Sequence, residues 1–496
     1  MSARTTYRFG PLERRGLLGP IRGGQAAVVG LGMLGALALL NALPNATGAF
    51  LATTLLAAAG GFVTIPVGHG HLDEWVPVTA AFVLRVLGRR RVFRSVVPLE
   101  GFRGTGLGSR RPVIRDAVAH PPRELRDVRI LSAAHRGRQV GILSSRGGRF
   151  LIAVLACRAS AFALLDASAQ ERRLARWGYL LSSAAGTSLT RLQWLERTAP
   201  AQGDELARWV HSKRDPAIPP RGAAMIDSYL ELIGTTSRVT NEHEILLALQ
   251  VDARRVRSAA DGALRDLLED VERTARALEA AEVSVLGALR DDQLARALRT
   301  AFDPYCRAEL VAQEAAKAGP SGHPEAGAWP LGARESWEHY QTDGSLHATF
   351  WISGWPRVEV SPMFLDPLIG QSSVVRTVSV VFEPVPPERS AREAEAAVTR
   401  DHADRELRHR FGQSQTARQR QAEEAAARRE AELAAGHAEV RLAGFVTVSA
   451  RDEDELRRAC AEVTEQAARS RLELRRMYGQ QSHAFTFTLP LCRGLR

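Results

Sequence analysis

The residues that could do chemistry are few and scattered. Cys157, Cys306, Cys460 and Cys492 lie far apart and form no CxxC pair, so neither a zinc ribbon nor a disulfide framework is indicated. They fit the reduced thiols of a cytoplasmic protein. His69 and His71 could ligate a metal, but they are two ligands in a Gly-rich turn, whereas a site needs three or four that converge. Lys213 and Lys317 are the only lysines and no Gly-Lys dipeptide occurs, which excludes a GxxxxGK[ST] phosphate loop. GxSxG and HExxH are missing too, and no cysteine has a motif environment. Gly104, Gly106 and Gly108 in GFRGTGLGSRRP lack a preceding apolar strand and run into Pro112, so a flexible linker is expected there. The carboxylates sit on helical stretches beside arginines, where surface ion pairs are the ordinary outcome. Asp452, Glu453, Asp454 and Glu455 suit the positive end of a helix dipole. Without a nucleophile, base or metal set, no enzyme is expected, with no catalytic, cofactor-binding or metal-binding residue.

Whatever such residues do, they are positioned by a chain organised around one apolar stretch, residues 25–67, split at Asn41-Ala-Leu-Pro-Asn45 into two uncharged runs. Each run is close to the roughly 20 residues that an α-helix needs to cross a bilayer core of about 30 Å. Arg4, Arg8, Arg14, Arg15 and Arg22 precede the stretch, and Arg85, Arg89, Arg90, Arg91 and Arg94 follow it, while the connection is uncharged. A two-helix transmembrane hairpin is predicted, with both flanks and both termini cytoplasmic, in a multi-pass protein of the inner (plasma) membrane. A cleaved signal peptide would not be followed at once by a second apolar run. A buried core helix pair is the other alternative, since many of the residues are small. Ala26 with Gly30, and Gly60 with Gly61, are expected to allow close helix approach in lipid.

After the hairpin, HLDEWVPVTAAFVLRVLGRRRVF has the make-up of a helix lying at the membrane surface. Trp75 would sit at headgroup level, and Arg85, Arg89, Arg90, Arg91 and Arg94 would face anionic lipid. The 66 basic residues give a net charge of +11. Part of that excess belongs to the hairpin flanks, and net charge speaks to non-specific association rather than fold, so direct nucleic-acid binding is the minor alternative.

The soluble part reads as α+β. DVRILSA, RQVGILSS, RFLIAVLACR and AFALL are short apolar runs separated by Gly-containing turns, the pattern of a strand meander. SAQERRLARWGYLLSSA has helical spacing, SLTRLQWLERT and EILLALQV read as strands, residues 253–281 as a helix, VSVLGAL as a strand and DDQLARALRTAF as a capped helix. Prolines and glycines over 304–340 mark a linker. The order resumes with LHATFWISGW, SVVRTVSVVFEPV, a long helical segment over 389–435, RLAGFVTVSA, DEDELRRACAEVTEQAARSR and a closing strand HAFTFTLPL. The fold class expected is a membrane-anchored α+β protein: the hairpin, then two ferredoxin-like α+β units, with sheet on one side and helices on the other, and a coiled-coil-like helical insertion. The division is a basic tail 1–24, hairpin 25–67, interfacial helix and linker 68–126, first unit 127–303, linker 304–340 and second unit 341–496.

Two pieces resemble known families. The hairpin followed by HLDEWVPVTAAFVLRVLGRRRVF resembles the PrgI family of small membrane proteins in conjugative and type IV secretion systems. From about Asp127 onward, EILLALQV, the long helix, ALRTAFDP and the closing QQSHAFTFTLPLCRGLR resemble the N-terminal, non-motor portion of conjugation ATPases. Together they resemble an actinobacterial family of membrane proteins that fuses the two. No motor with a phosphate loop follows before Arg496. The resemblance therefore implies a non-catalytic scaffold or adaptor of a type IV secretion-like or conjugative apparatus. Its implied partners are membrane lipid, a separately encoded ATPase and other channel subunits, within an oligomeric complex. The alternatives are a structural subunit of a type VII secretion complex of the EccE kind and a membrane-bound nucleotide-sensing or enzymatic protein. Deleting Val440–Arg496 is expected to abolish ATPase recruitment and leave membrane insertion intact.

Overall fold

A computed structural model describes residues 23–95, 121–200, 219–310, 327–399 and 427–495, apart from 65, 68–69, 159–161, 238–240, 256–259, 308–309, 357, 371–373, 397–398, 428–430 and 434–437. The chain is α+β and is dominated by one large antiparallel sheet. In chain order the strands are β1 (Pro66–Val67), β2 (Gly70–His71), β3 (Val92–Arg94), β4 (Arg129–His135), β5 (Arg138–Ser145), β6 (Phe150–Arg158), β7 (Leu189–Pro200) and β8 (Asn241–Asp252). They continue with β9 (Ser284–Ala288), β10 (Gly332–Glu335), β11 (Tyr340–Thr342), β12 (Ser345–Gly354), β13 (Arg376–Val385), β14 (Glu439–Ala450) and β15 (Glu473–Arg476). β1 and β2 form a small hairpin of their own; the others join in the order β3-β10-β11-β12-β14-β13-β7-β8-β6-β5-β4, with β9 on β6 and β15 on β12.

Within this sheet one strand order occurs twice. The first half runs β9-β6-β8-β7 and the second β15-β12-β14-β13, the fourth strand beside the first and the third beside the second. The halves meet through their second strands, β7 pairing β13 from Leu192↔Phe382 to Thr198↔Arg376. They therefore share a continuous sheet, and the stretch 304–340 is in part built into it. Ala328 and Trp329 are core residues and β10 pairs with β3 and β11. The physical reason is visible in Trp329, a large apolar side chain packed edge-on against Phe302.

Consecutive strand residues point to opposite faces, and in the first half both faces are apolar. Ile152 and Val154 of β6 pack with Leu294, Leu298 and Phe302 of the helix Asp291–Phe302. Leu151, Ala153 and Leu155 pack on the other side with Leu180 of the helix Ala167–Ala184 and with Leu267 and Val271 of the helix Ala260–Ala280. Helices on one side only are thus replaced by cover on both sides. The continuous runs VGILSS and LIAVLA are what a strand buried on two faces requires. In the second half, Ala348, Phe350, Val446 and Val448 pack on the helix Glu453–Arg469, capped by the Asp452 carboxylate accepting from Glu455 N–H at 2.8 Å.

Other expectations are corrected. AFALL forms a 3₁₀ turn at Phe162–Leu164 rather than a strand. HAFTFTLPL is a helix, Gln481–Phe485, followed by a turn, Thr486–Thr488. It crosses the face of the sheet, where Phe485, Leu489 and Leu491 enter the core. Polar side chains from the strands hold it there. Gln193 Nε2 donates to Ser379 Oγ (2.8 Å) and to the Phe487 carbonyl (2.9 Å), and its Oε1 accepts from Cys492 N–H (2.7 Å). Thr349, Thr447 and Thr488 hydroxyls form a chain at 2.8 Å. Since β14 lies between β12 and β13, deleting Val440–Arg496 would remove a central strand along with this segment, so that truncation cannot separate recruitment from folding. A helix at Pro220–Ser237, unsuspected in sequence, precedes β8. GFRGTGLGSRRP, His69 and most of 389–435 lie outside the described residues. All four cysteines are buried, and none forms a disulfide.

Candidate membrane-facing surface

The two uncharged runs form helices, Gly23–Ala42 and Ala46–Thr64. Asn45 caps the second, its Oδ1 accepting from Gly48 N–H at 2.9 Å. The helices lie antiparallel: Gln25 Nε2 reaches the Val63 carbonyl at one end, and near the middle a Cβ on Gly32 or Gly35 would lie 2.7 Å from Ala59 or 2.9 Å from Leu55. Close approach therefore falls at Gly32 and Gly35, while a Cβ on Gly30 or Gly60 would meet nothing within 4 Å. Glycines i and i+3 share a helix face, so Gly32 and Gly35 meet the second helix together. Leu31, Leu34, Leu37 and Phe50 are exposed. Thr53 and Thr54 donate to the carbonyls four residues back at 2.8 Å, so these hydroxyls need no outside partner. Among the described residues, Ala46–Val63 is long and apolar enough to cross a membrane, with mean hydropathy 1.6, and the first helix contributes a shorter apolar stretch, Val28–Ala42.

The run after β2 is the helix Leu72–Leu87, and the second apolar helix packs against it. Its two sides differ. Val76, Ala80, Val83, Leu84 and Leu87 are exposed, Leu84 at 68% and Leu87 at 74%. Their spacing of 4, 3, 1 and 3 places them on one helical face. Trp75, Phe82 and Arg85 lie on the opposite side, against the sheet. Trp75 stacks on Trp337 with centroids 6.2 Å apart, and Tyr478 is 5.9 Å away. Phe82 meets Trp337 edge-on at 5.1 Å. Such aromatic pairs contribute about 0.5–1.5 kcal/mol each beyond area burial.

Charge reinforces this contact. Glu74 accepts from Arg475 at 2.7 Å, and Arg475 also lies over the Trp75 ring. Arg85 Nε is 3.2 Å from Glu335 Oε2, and Arg85 Nη2 donates to the Gly479 carbonyl. Burial raises the Glu335 carboxyl, opposed by the Arg85 charge and by donation from Ser482. Gly479 has φ +65°, and a Cβ there would lie 2.5 Å from the Trp337 ring, so this turn needs glycine.

Of the six residues expected at the lipid interface, the structure thus turns two inward. Trp75 and Arg85 bind the sheet, because aromatic and carboxylate partners from distant segments are there to receive them. Arg91 is half-buried with its guanidinium 5.8 Å from the Phe82 ring. Arg89, Arg90 and Arg94 are exposed, Arg94 on β3, which pairs with β10. Sequence reasoning missed Trp337, Tyr478, Glu335, Gly479 and Arg475. The one available signal was that Trp75, Phe82 and Arg85 recur at helical spacing on a face separate from the leucines. Among the described residues no group of three or more His, Cys, Asp or Glu side chains could hold a metal. No family model and no curated protein matches the chain.

Proposed function

We propose that the chain is a non-catalytic, membrane-anchored scaffold of a type IV secretion-like or conjugative transfer apparatus. In this reading the two apolar helices cross the inner membrane with both termini cytoplasmic. The sheet comprises two ferredoxin-like units that dock a separately encoded ATPase, with the residues 389–435 adding a coiled-coil-like arm. The observation that carries the membrane reading is the helix Leu72–Leu87, which offers an exposed apolar stripe on one side and is fixed to the sheet by Trp75, Phe82 and Arg85 on the other. A surface helix with one apolar side beside apolar helices is the arrangement that seats a domain on a bilayer. The secretion reading rests on the resemblance of the hairpin-plus-helix and of the later segments to the two secretion families.

For the ATPase, the docking face proposed is the helix Pro220–Ser237, where Met225, Tyr229 and Leu232 are exposed at a spacing of 4 and 3. The test is cross-linking in native membranes and mass spectrometry of what co-purifies with the full chain and with a Met225→Glu, Tyr229→Glu, Leu232→Glu variant. A partner carrying its own phosphate loop, lost from the variant while the variant stays in the membrane, is the expected result. Type VII subunits in its place would move the chain to that apparatus. A large thermal shift with ATP, GTP or a cyclic dinucleotide would replace the scaffold reading by nucleotide sensing.

A further inference from the structure

The helix Leu72–Leu87 ends in a way that builds a cationic cleft. Arg89 adopts the left-handed conformation (φ 51°), a conformation that costs a non-glycine residue strain. Arg90 N–H then donates back to the Arg85 carbonyl at 2.8 Å, and Gly88 N–H to Leu84 at 3.0 Å. This helix-ending turn folds the chain back on itself, and it carries Arg90 to the rim of a cleft of about 430 Å³. Arg123, from the 3₁₀ turn Arg123–Leu125, and Arg85 line the same cleft. Arg85 is already engaged by Glu335 and Gly479. Arg90 and Arg123 are exposed, and neither has a carboxylate partner among the described residues. The one carboxylate in the lining, Glu124, accepts from Ser482 Oγ at 3.1 Å. His483 completes the wall; burial first, then the Arg493 charge, lowers its pKa, so it offers a neutral ring.

One lip of the cleft is Ala81 and Leu84, and Leu84 belongs to the exposed apolar stripe of the same helix. A ligand that satisfies both parts has an anionic group for two free guanidiniums and a hydrocarbon part beside it. Guanidiniums bind phosphate oxygens through paired N–H donors. We propose that this cleft binds the phosphate of an anionic phospholipid headgroup, with Arg90 and Arg123 as the donors and Leu84 against the glycerol and acyl region. The assignment rests on the membrane reading of the apolar helices, and free phosphate shares the same headgroup chemistry.

The experiment titrates the full chain, purified in uncharged detergent, with dihexanoyl phosphatidylglycerol, dihexanoyl phosphatidylcholine and inorganic phosphate, followed by native mass spectrometry and calorimetry. Phosphatidylglycerol is expected to bind roughly tenfold or more tightly than either of the others, because phosphatidylcholine brings a choline cation beside two guanidiniums and inorganic phosphate lacks the hydrocarbon that would lie against Leu84. The double variant Arg90→Gln, Arg123→Gln is expected to bring it down to the phosphatidylcholine level. Both side chains are exposed, so the melting temperature without lipid should not change, and a variant that melts early is replaced by the single Arg123→Gln. Equal binding of the two lipids, or an unaltered double variant, overturns the site. Inorganic phosphate binding as tightly as phosphatidylglycerol overturns the lipid assignment. Alkaline carbonate extraction of the same chain tests the membrane reading separately: a protein that washes off fails that reading, whereas one that stays but shows no lipid preference fails only the cleft.

Discussion

The two halves of the sheet share a strand order and differ in what seals them. Between its first and second strands the first half carries the helix Ala167–Ala184, and its two faces are filled with aliphatic side chains. Among the described residues, the second half has the short helix Asp366–Ile369 at the corresponding place. One of its faces is packed on the helix Glu453–Arg469, while the other presents Thr349, Ser379 and Thr447 to the C-terminal segment. Buried polar groups are costly unless they find partners, and here the partners come from a segment remote in sequence. Repeating a topology does not oblige a chain to repeat its chemistry: the first half is closed mainly by aliphatic burial, though Gln193 of β7 also bonds the segment, and the second relies more on hydroxyl hydrogen bonds.

This contrast can be broken in order of effect. Phe485 comes from the C-terminal segment but packs against Phe302 in the first core, with centroids 5.1 Å apart. Phe485→Ala should cost about 3–5 kcal/mol in a urea titration, and a loss under about 1 kcal/mol on that scale would mean the segment is only laid on the surface.

His347 is the next largest. Its Nε2–H donates to the Phe302 carbonyl (2.8 Å) and its Nδ1 accepts from Ser449 (2.8 Å), and burial lowers its pKa from 6.5 to about 4. With the folded value depressed, the unfolded chain binds more protons between pH 4 and 6.5. The stability is therefore fully present above about 6.5 and is lost as pH falls toward 4. The difference is about 3 kcal/mol at 1.36 kcal/mol per unit. Melting temperatures of wild type and His347→Gln across this window should converge at the acid end; parallel curves would put the acid sensitivity elsewhere.

Gln193→Leu should cost about 1–3 kcal/mol, because the Cys492 N–H loses its acceptor inside the protein. Adding Ser379→Ala to it should be less than additive, since both side chains donate to Phe487. The smallest effect is expected on the outer side of the second half. The exposed pair Arg469–Glu465 at 2.6 Å should contribute about 0.3–0.5 kcal/mol, as helical i,i+4 pairs do. A double-mutant cycle at low and high salt would measure it.

Much of the first half was legible before any coordinates. β4, β5, β6, β7, β8 and β9, and the helices Ala167–Ala184 and Asp291–Phe302, lie where apolar periodicity and Gly turns put them. β10 and β11 were not, because they are short and polar and become strands only by pairing with neighbours. The alternation in HAFTFTLPL looks like a strand, yet β12 and β14 already have neighbours on both sides, leaving that segment no ladder to join. Of the candidate surface, the apolar runs and the Trp75–Arg94 stretch were visible, since hydropathy and charge are properties of contiguous residues. Which way Trp75 and Arg85 turn was not visible.

The sequence by itself determined the apolar helices, the antiparallel strand-rich class and the helical faces, because each depends on local periodicity and on side-chain transfer from water. Tertiary structure alone decided that the two units share one sheet and that the helix Leu72–Leu87 is bound on its aromatic side. It also decided that the last segment closes a polar face. Those outcomes depend on pairs such as Glu74 with Arg475, 401 residues apart, and a contact between distant residues has no signature until the chain has folded to bring them together.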